Sequence, residues 1–338
     1  MVKVSVLIAI YNAGKDLHRC LASLERQTLK DCEFICIDDC STDDSVQVAT
    51  DFMEHDSRFR VVQTSENSGQ AVARNVGLQY ACGEYITMVD ADDWLADDAL
   101  EKAYYTIKNT PECDCALLQL YTDKSGEWMP YEVPEQNVFT GQKAFRLSLD
   151  WTLHGYYLID RNIHLKYPYD TSCRLYSDDN TTRLHFLHSR KVAMSTGKYY
   201  YRQHSESMTH RVSPQRFLFM DAYSSMKEQI VREAKDGNVD DADAVLTHFE
   251  NLRWLNFLGL MRYYFEYKQE FSPTDKADIL KRLAAKLQTF ERRRIKLRFW
   301  LRFGYIPIKN WILFYTQMKL FVKMYPTYQR ALSYVRVS

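Results

Sequence analysis

Val4-Ser5-Val6-Leu7-Ile8-Ala9-Ile10, followed by Tyr11-Asn12-Ala13-Gly14, decides how the rest of the chain is read. Seven residues, nearly all apolar, have the length and character of a strand buried on both faces, the kind found in parallel sheets. The next four are a turn signal. Leu17, Leu21 and Leu24 then recur at helical spacing, with Asp16 near that helix's positive end. The alternation continues. Glu33-Phe34-Ile35-Cys36-Ile37 reads as a second strand ending in Asp38-Asp39, and Ser41-Thr42-Asp43-Asp44 offers N-cap chemistry to a helix over about 45–52. Arg60–Gln63 reads as a short third strand, and Gly69 opens a helix carrying Ala71, Ala73, Val76 and Leu78. Tyr85-Ile86-Thr87-Met88-Val89 is a fourth strand that delivers Asp90-Ala91-Asp92-Asp93. This succession predicts a doubly wound α/β sheet. Ligands of such sheets sit beyond the carboxyl ends of the strands, so Tyr11-Asn12, Asp38-Asp39 and Asp90/Asp92 are expected on one rim.

The whole chain has 338 residues, 46% of them hydrophobic, with 44 Lys+Arg against 44 Asp+Glu. That length holds one large or two ordinary domains, and the composition excludes collagen-like and disordered classes. The neutral sum hides a polarity. Residues 1–100 carry 8 basic and 18 acidic side chains, whereas residues 281–338 carry 14 basic ones and a single acid, Glu291. The start of the chain has no long apolar run followed by a cleavage site, so no secretory leader is expected. The most apolar tract, 299–325, is interrupted by Arg302, Lys309, Lys319 and Lys323, too often for a transmembrane helix. Cysteines 20, 32, 36, 40, 82, 113, 115 and 173 lack paired zinc spacing and read as buried, reduced thiols of a cytoplasmic protein.

After residue 110 the pattern is mixed, with a strand over Ala116–Tyr121 and a polar loop over 122–136. From about Arg216 onward helical spacing dominates, as in Phe249, Leu252, Leu255, Leu258 and Met261. Ser213-Pro214 marks the expected boundary. It separates an α/β catalytic portion over 1–215, with halves over about 1–110 and 111–215, from a mainly helical region over 216–338.

Asp90-x-Asp92 is the sharpest chemical feature. Two carboxylates one residue apart at a strand end can approach a hard cation while a diphosphate completes its shell. Asp39 occupies the strand-end position from which acids read ribose or base in nucleotide folds. Neither a Gly-x-Gly-x-x-Gly loop nor a P-loop is present, so phosphate charge falls to a cation and to basic groups such as Arg74. His18, His55, His154 and His185 show no ligand spacing, and His185-x-x-His188 reads as a helix surface.

These residues resemble family 2 glycosyltransferases of the GT-A fold. The likeness runs through Val4–Asn12, Leu21–Thr28, Ile37–Asp43, Glu66-Asn67-Ser68-Gly69, Ala73-Arg74-Asn75, Gly83–Ile86 and Val89–Trp94, in that order. The resemblance implies a nucleotide pocket lined by Ala9, Tyr11 and Asn12, with Asp39 reading uracil or another base and Arg74 on base or phosphate. It implies Asp90 at the ribose and Asp92 holding Mg²⁺ or Mn²⁺ on the diphosphate. Two positions depart from the family: Ala9 stands where Pro or Thr is usual, and Cys40 where Gly or Asn follows the acid pair. Activating an acceptor hydroxyl needs a base. Tyr176-Ser177-Asp178-Asp179-Asn180 resembles the family's Glu-Asp block, which makes Asp179 the expected base and Asp178 its fallback. Tyr199-Tyr200-Tyr201-Arg202-Gln203-His204 resembles the segment before the family's lid, which implies Arg202 or His204 on the phosphates.

Arg292-Arg293-Arg294, Lys296, Arg298 and Arg302 precede Trp311, Phe314, Tyr315, Met318, Phe321, Val322 and Tyr325, which follow helical spacing. A basic cluster beside an aromatic-rich face suits an anionic bilayer more than a nucleic acid. The expected protein is an inverting, metal-dependent glycosyltransferase, peripheral on the inner face of the cell membrane. It would move a sugar from a UDP-linked donor to a glycan or lipid-linked glycan acceptor in surface polysaccharide synthesis. The alternatives are a sugar nucleotidylyltransferase and an inactive nucleotide-sugar or membrane-binding module.

Overall fold

The computed structural model describes residues 1–124, 127–176, 178–202 and 212–335, with side chains of the last helix described as far as Met324. The chain divides into two compact units, Met1–His204 and Ser205–Ser338.

The first unit opens with the alternation read above: β1 (Val4–Ile10), α1 (Gly14–Glu25), β2 (Cys32–Asp38), α2 (Ser45–His55), β3 (Phe59–Gln63), α3 (Gln70–Leu78) and β4 (Tyr85–Met88). It continues through β5 (Trp94–Leu95), α4 (Ala99–Asn109), β6 (Cys113–Lys124), β7 (Glu127–Pro130), β8 (Val138–Thr140) and α5 (Gly141–Ser148). It closes with β9 (Tyr157–Asp160), α6 (Arg161–Lys166), α7 (Asp178–His188) and β10 (Lys191–Tyr201). One sheet runs β3-β2-β1-β4-β9-β6-β10-β5, with β7 on β6 and β8 on β10. The first four strands are parallel, in a register that sets Ile10 beside Asp38 and Leu7 beside Met88. β9 runs against both β4 and β6, so the sheet is mixed. Because β1 is followed outward by β2 and β3 on one side and by β4 on the other, strand order reverses between β1 and β4. A crevice for a ligand opens at such a point.

Val6, Ile8, Leu17, Leu21 and Phe34 are fully buried in one core, as the apolar run and its helical partner require. Three expectations are corrected. The polar stretch 122–136 is not all loop: β6 extends to Lys124 and pairs with β7, whose exposed residues conceal the strand. Asp44 sits at the N-cap of α2 without a side-chain cap. Instead Asp43 accepts the Ser45 N–H at 3.0 Å and the Gly14 N–H at 3.1 Å, tying two loops together. His185 is no surface residue; it is fully buried. All eight cysteines are free thiols, with Cys82 exposed and Cys40 half-buried.

The second unit holds α8 (Phe219–Lys235), α9 (Ala242–Tyr267), α10 (Pro273–Gln288), α11 (Leu297–Trp300) and α12 (Trp311–Val335). Trp254, Phe257, Phe290, Phe314, Met318 and Phe321 pack as one core, with Trp311, Tyr315 and Val322 partly buried against it. The aromatic face of α12 expected to meet a bilayer is therefore turned inward. Burying those rings removes far more apolar surface from water than exposing them would allow. The apolar side chains left outside are different ones: Leu297, Leu301, Phe303, Ile312, Leu313, Leu320 and Met324. Among the described residues no helix is long and apolar enough to cross a membrane.

Candidate active site

The parallel strands end on one rim, as their register requires. Asn12, just past β1, takes a left-handed backbone (φ 51°), and its Oδ1 accepts the Thr42 N–H at 2.8 Å. Its own N–H donates to the Ser41 hydroxyl at 3.0 Å. The loops after β1 and β2 are thus one hydrogen-bonded shelf, with Tyr11 exposed upon it. Cys40 also has a positive φ (62°), a geometry that the Gly or Asn of the resemblance adopts more readily.

Asp39 is buried and faces the start of α3. Its carboxylate accepts the Thr64 hydroxyl at 2.9 Å and the N–H groups of Ser68 at 3.1 Å and Gly69 at 2.7 Å. Gly69 has φ 91°, which a side chain would strain, so the turn needs glycine there.

Arg74, on α3, is 1% exposed. It makes an ion pair with Asp90 and stands 3.8 Å from Asp178. Asp90, Tyr169 and Asp178 hold its pKa above the ordinary arginine value even though burial opposes the charge. Asp178 also accepts a hydrogen bond from Gln70 at 3.4 Å. Arg74, Asp90 and Asp178 therefore meet, although Arg74 and Asp178 lie more than a hundred residues apart in sequence. Burial pushes the Asp90 carboxyl up to about 6, against the pull of Arg74 and with Asp92 and Asp178 adding repulsion. Burial likewise raises Asp179 to about 8, with Asp178 adding to the shift and Arg183 opposing it.

The turn after β4 is held by Tyr199, to which the resemblance gave only a place in the segment before the lid. The Tyr199 hydroxyl accepts the Asp90 N–H at 3.1 Å and donates to Asp93 at 2.8 Å. Asp93 also accepts the Arg202 backbone N–H at 2.8 Å. Burial first, then Asp90 and Asp92, raise the Asp93 pKa well above the usual range. From the other side, the Arg19 guanidinium lies 3.9 Å from the Trp94 ring centroid and donates to the Asp92 carbonyl at 3.2 Å. Buried Gln27 bridges α1 to the segment beyond the acids, donating to Ala96 O at 2.8 Å and accepting from Leu100 N at 3.1 Å. Ala9 is the next-to-last residue of β1, paired with Ile37. Arg202 is at the end of β10, paired with Asp16 of α1. His204 lies outside the described residues.

The donor set suits a hard divalent cation. Asp90 and Asp178 face the buried Arg74 guanidinium, Asp92 and Asp178 add repulsion at Asp90, and Asp90 and Asp92 add it at Asp93, so negative charge gathers at this rim. Among the described residues no three His, Cys, Asp or Glu side chains form a ready-made metal cage. Mg²⁺-like ions are commonly held by one or two carboxylates, with water and phosphate oxygens supplying the rest.

A family model described as glycosyl transferase family 2 matches residues 5–181. Glycosyltransferase GlyG of Streptococcus pneumoniae is 29% identical over 218 residues, 61% of this chain and 72% of that protein. A poly(ribitol-phosphate) beta-glucosyltransferase of Bacillus spizizenii is 28% identical over 252 residues, 71% of this chain but 38% of the longer enzyme. Among solved structures, S. aureus TarS 1-349 in complex with UDP-GlcNAc superposes with a TM-score of 0.70 at 20% identity, covering 95% of this chain and 92% of that one.

Proposed function

The chain belongs to glycosyl transferase family 2 and has the GT-A fold, and from that premise we propose a nucleotide-diphospho-sugar enzyme, UDP-linked, that inverts the transferred sugar. The observation that carries this reading is the gathering of Asp90, Asp92, Asp93 and Asp178 at the β1/β4 crevice, where a divalent ion would bring positive charge and a nucleoside diphosphate would complete its shell. The TarS complex with UDP-GlcNAc supports UDP as the nucleotide.

In this reading Ala9, Tyr11 and Asn12 form the shelf under the nucleoside. Asp39 shapes the base-facing wall through Ser68 and Gly69. Asp92, with Asp90 beside it, would hold Mg²⁺ or Mn²⁺. When bound, such an ion offsets charge that develops on the departing diphosphate. Arg74 fixes the Asp90 carboxylate and keeps it from rotating away. Arg202 and His204 are proposed on the phosphate side.

Asp179 is the general base. Asp178 is engaged by Arg74 and Gln70, whereas burial gives Asp179 a raised proton affinity, which suits abstraction of a hydroxyl proton near neutral pH. A single displacement with the base opposite the leaving group inverts the anomeric carbon. The acceptor is proposed as a glycan or lipid-linked glycan of a surface polysaccharide.

For the second unit we propose attachment to an anionic bilayer at the inner face of the cell membrane. Leu297, Leu301 and Ile312 are more than 70% exposed, and no acid occurs after Glu291. Basic residues near an anionic surface contribute about 1 kcal/mol each. Co-sedimentation with phosphatidylglycerol vesicles, lost in high salt and absent with phosphatidylcholine alone, is the expected result.

Transfer to water, the acceptor present without any glycan, is tested by incubating the chain with UDP-glucose or UDP-N-acetylglucosamine and Mn²⁺. UDP release, with a proton spectrum of inverted anomeric configuration, is expected. Retained configuration would exclude the single displacement, and no release with any nucleotide sugar would favour an inactive binding module.

A further inference from the structure

Beside β4, β9 and α7 lies a cleft open to solvent. Asp178, Asp179 and Trp151 line it, together with Tyr156, Tyr169 and His164. His164, on α6, is 2% exposed, and neither of its ring nitrogens has a hydrogen-bond partner among the described residues.

Its neighbour shows that this is not how the fold treats a structural imidazole. His185, whose ring centroid is 4.5 Å away, is equally buried and fully satisfied. Its Nδ1 lies 2.7 Å from the Tyr157 hydroxyl and its Nε2 lies 2.8 Å from the Tyr167 carbonyl oxygen. Buried polar groups in native proteins are almost always paired, and an orphan calls for an explanation such as a bound molecule.

The chemistry narrows what that molecule is. Burial, followed by His185 and Arg74, holds the His164 pKa well below the ordinary histidine value, so the ring is neutral. A neutral imidazole offers one donor and one acceptor. A sugar hydroxyl, able to donate and accept, complements either nitrogen, whereas an anion would face an acceptor nitrogen and the acids of the mouth. The rings of Trp151, Tyr156 and Tyr169 supply apolar surface for the carbon faces of a pyranose.

We propose that His164 reads the hydroxyls of the sugar ring seated beside Asp179 and is a specificity-determining residue. The inference rests on the reading of the adjacent acid rim as a glycosyl-transfer site. Two sources supply such a ring, the donor's glycosyl group and the acceptor.

The test is calorimetric titration of the full chain and of its His164→Phe and His164→Gln variants. The ligands are UDP, UDP-glucose and UDP-N-acetylglucosamine with Mn²⁺, and methyl glucoside alone. Removing one neutral hydrogen-bonding partner should weaken the sugar-bearing ligand roughly three- to tenfold while UDP binds unchanged, and His164→Gln should recover most of the loss. Weakening confined to the UDP-sugars identifies the donor ring, and weakening confined to methyl glucoside identifies the acceptor ring. Should His164→Phe fold poorly, the ¹⁵N signals of the His164 ring in the unaltered chain must move with a sugar-bearing ligand and stay still with UDP. Equal affinities in all three proteins, or unmoved ring signals, would overturn the proposal and leave only water in the cleft. Failure of UDP to bind would instead count against the nucleotide-sugar reading, with the methyl glucoside titration still judging the cleft.

Discussion

Both units bury carboxylates, and they neutralise them in opposite ways. In the second unit Glu250, fully buried on α9, meets Arg253 at 2.6 Å and Lys227 at 3.1 Å and also accepts the Glu291 N–H at 2.6 Å. Lys227 reaches Glu291 as well, and that pairing pulls the Glu291 carboxyl down to about 2. In the first unit the carboxyls of Asp90, Asp93 and Asp179 are all pushed up instead, chiefly by burial. The helical cluster is an ion network in which both carboxylates meet cations. The rim is an unfinished one, held in place by Tyr199, Arg74 and Gln70, and groups left in that state mark functional sites more often than structural ones.

That contrast can be broken by mutation. Asp92→Asn should lower turnover by at least about a thousandfold, an effect of the size expected for losing electrostatic stabilisation of a leaving group. The same change should leave the melting temperature unchanged or raise it, because it relieves repulsion. A UDP-release assay paired with calorimetry checks both.

Glu250→Gln should do the reverse. Removing one partner of a buried ion network leaves Arg253 uncompensated, destabilising the second unit by about 3–5 kcal/mol with turnover retained while it stays folded. Urea unfolding followed at the tryptophans measures this.

Asp179→Asn should cut kcat by about a hundred- to ten-thousandfold with little change in donor KM, and abolish a rising limb of the pH–rate profile near pH 8. Stability carries a matching sign. A carboxyl whose folded pKa is raised stabilises the fold less and less as pH climbs from the unfolded value toward 8. Asp179→Asn should therefore raise the melting temperature more at pH 8 than at pH 5. An equal shift at both would contradict the assignment.

The smallest effect belongs to Glu291→Gln. Its depressed folded pKa confers stability above the unfolded carboxyl value, and that stability is lost as pH falls toward 2. The variant should melt lower than the unaltered chain at pH 6 and converge with it in acid, as scanning calorimetry would show.

The architecture was legible where one residue type had one job. The Val4–Ile10 run, the helical leucines of α1 and the strand before Asp90 all read correctly, because apolar periodicity and a buried parallel sheet leave few alternatives. The polar part of the Leu21–Thr28 block was recognisable only through resemblance. Its reason is visible in Ser23 and Gln27, buried polar groups that bind the segment after the acids. Membership in the family removes the nucleotidylyltransferase alternative.

What escaped the sequence was pairing across distance. Nothing in Tyr199-Tyr200-Tyr201 says that the first hydroxyl clamps Asp90 to Asp93, since the partners are over a hundred residues away. His164 sits in an ordinary six-residue helix, and its orphaned nitrogens are a property of its surroundings. The inward turn of Phe314 and Met318 was missed for a related reason. Helical spacing identifies an apolar face without saying what covers it.

The most direct measurement of the central claim is the thermal stabilisation of the chain by UDP, recorded with Mn²⁺, with EDTA, and in Asp92→Asn. Binding raises the melting temperature only for ligands that engage the folded state. The account expects a shift that needs Mn²⁺ and disappears in Asp92→Asn. An equal UDP shift in EDTA, or in the variant, would contradict the claim that the rim acids complete their charge with a cation-bound diphosphate.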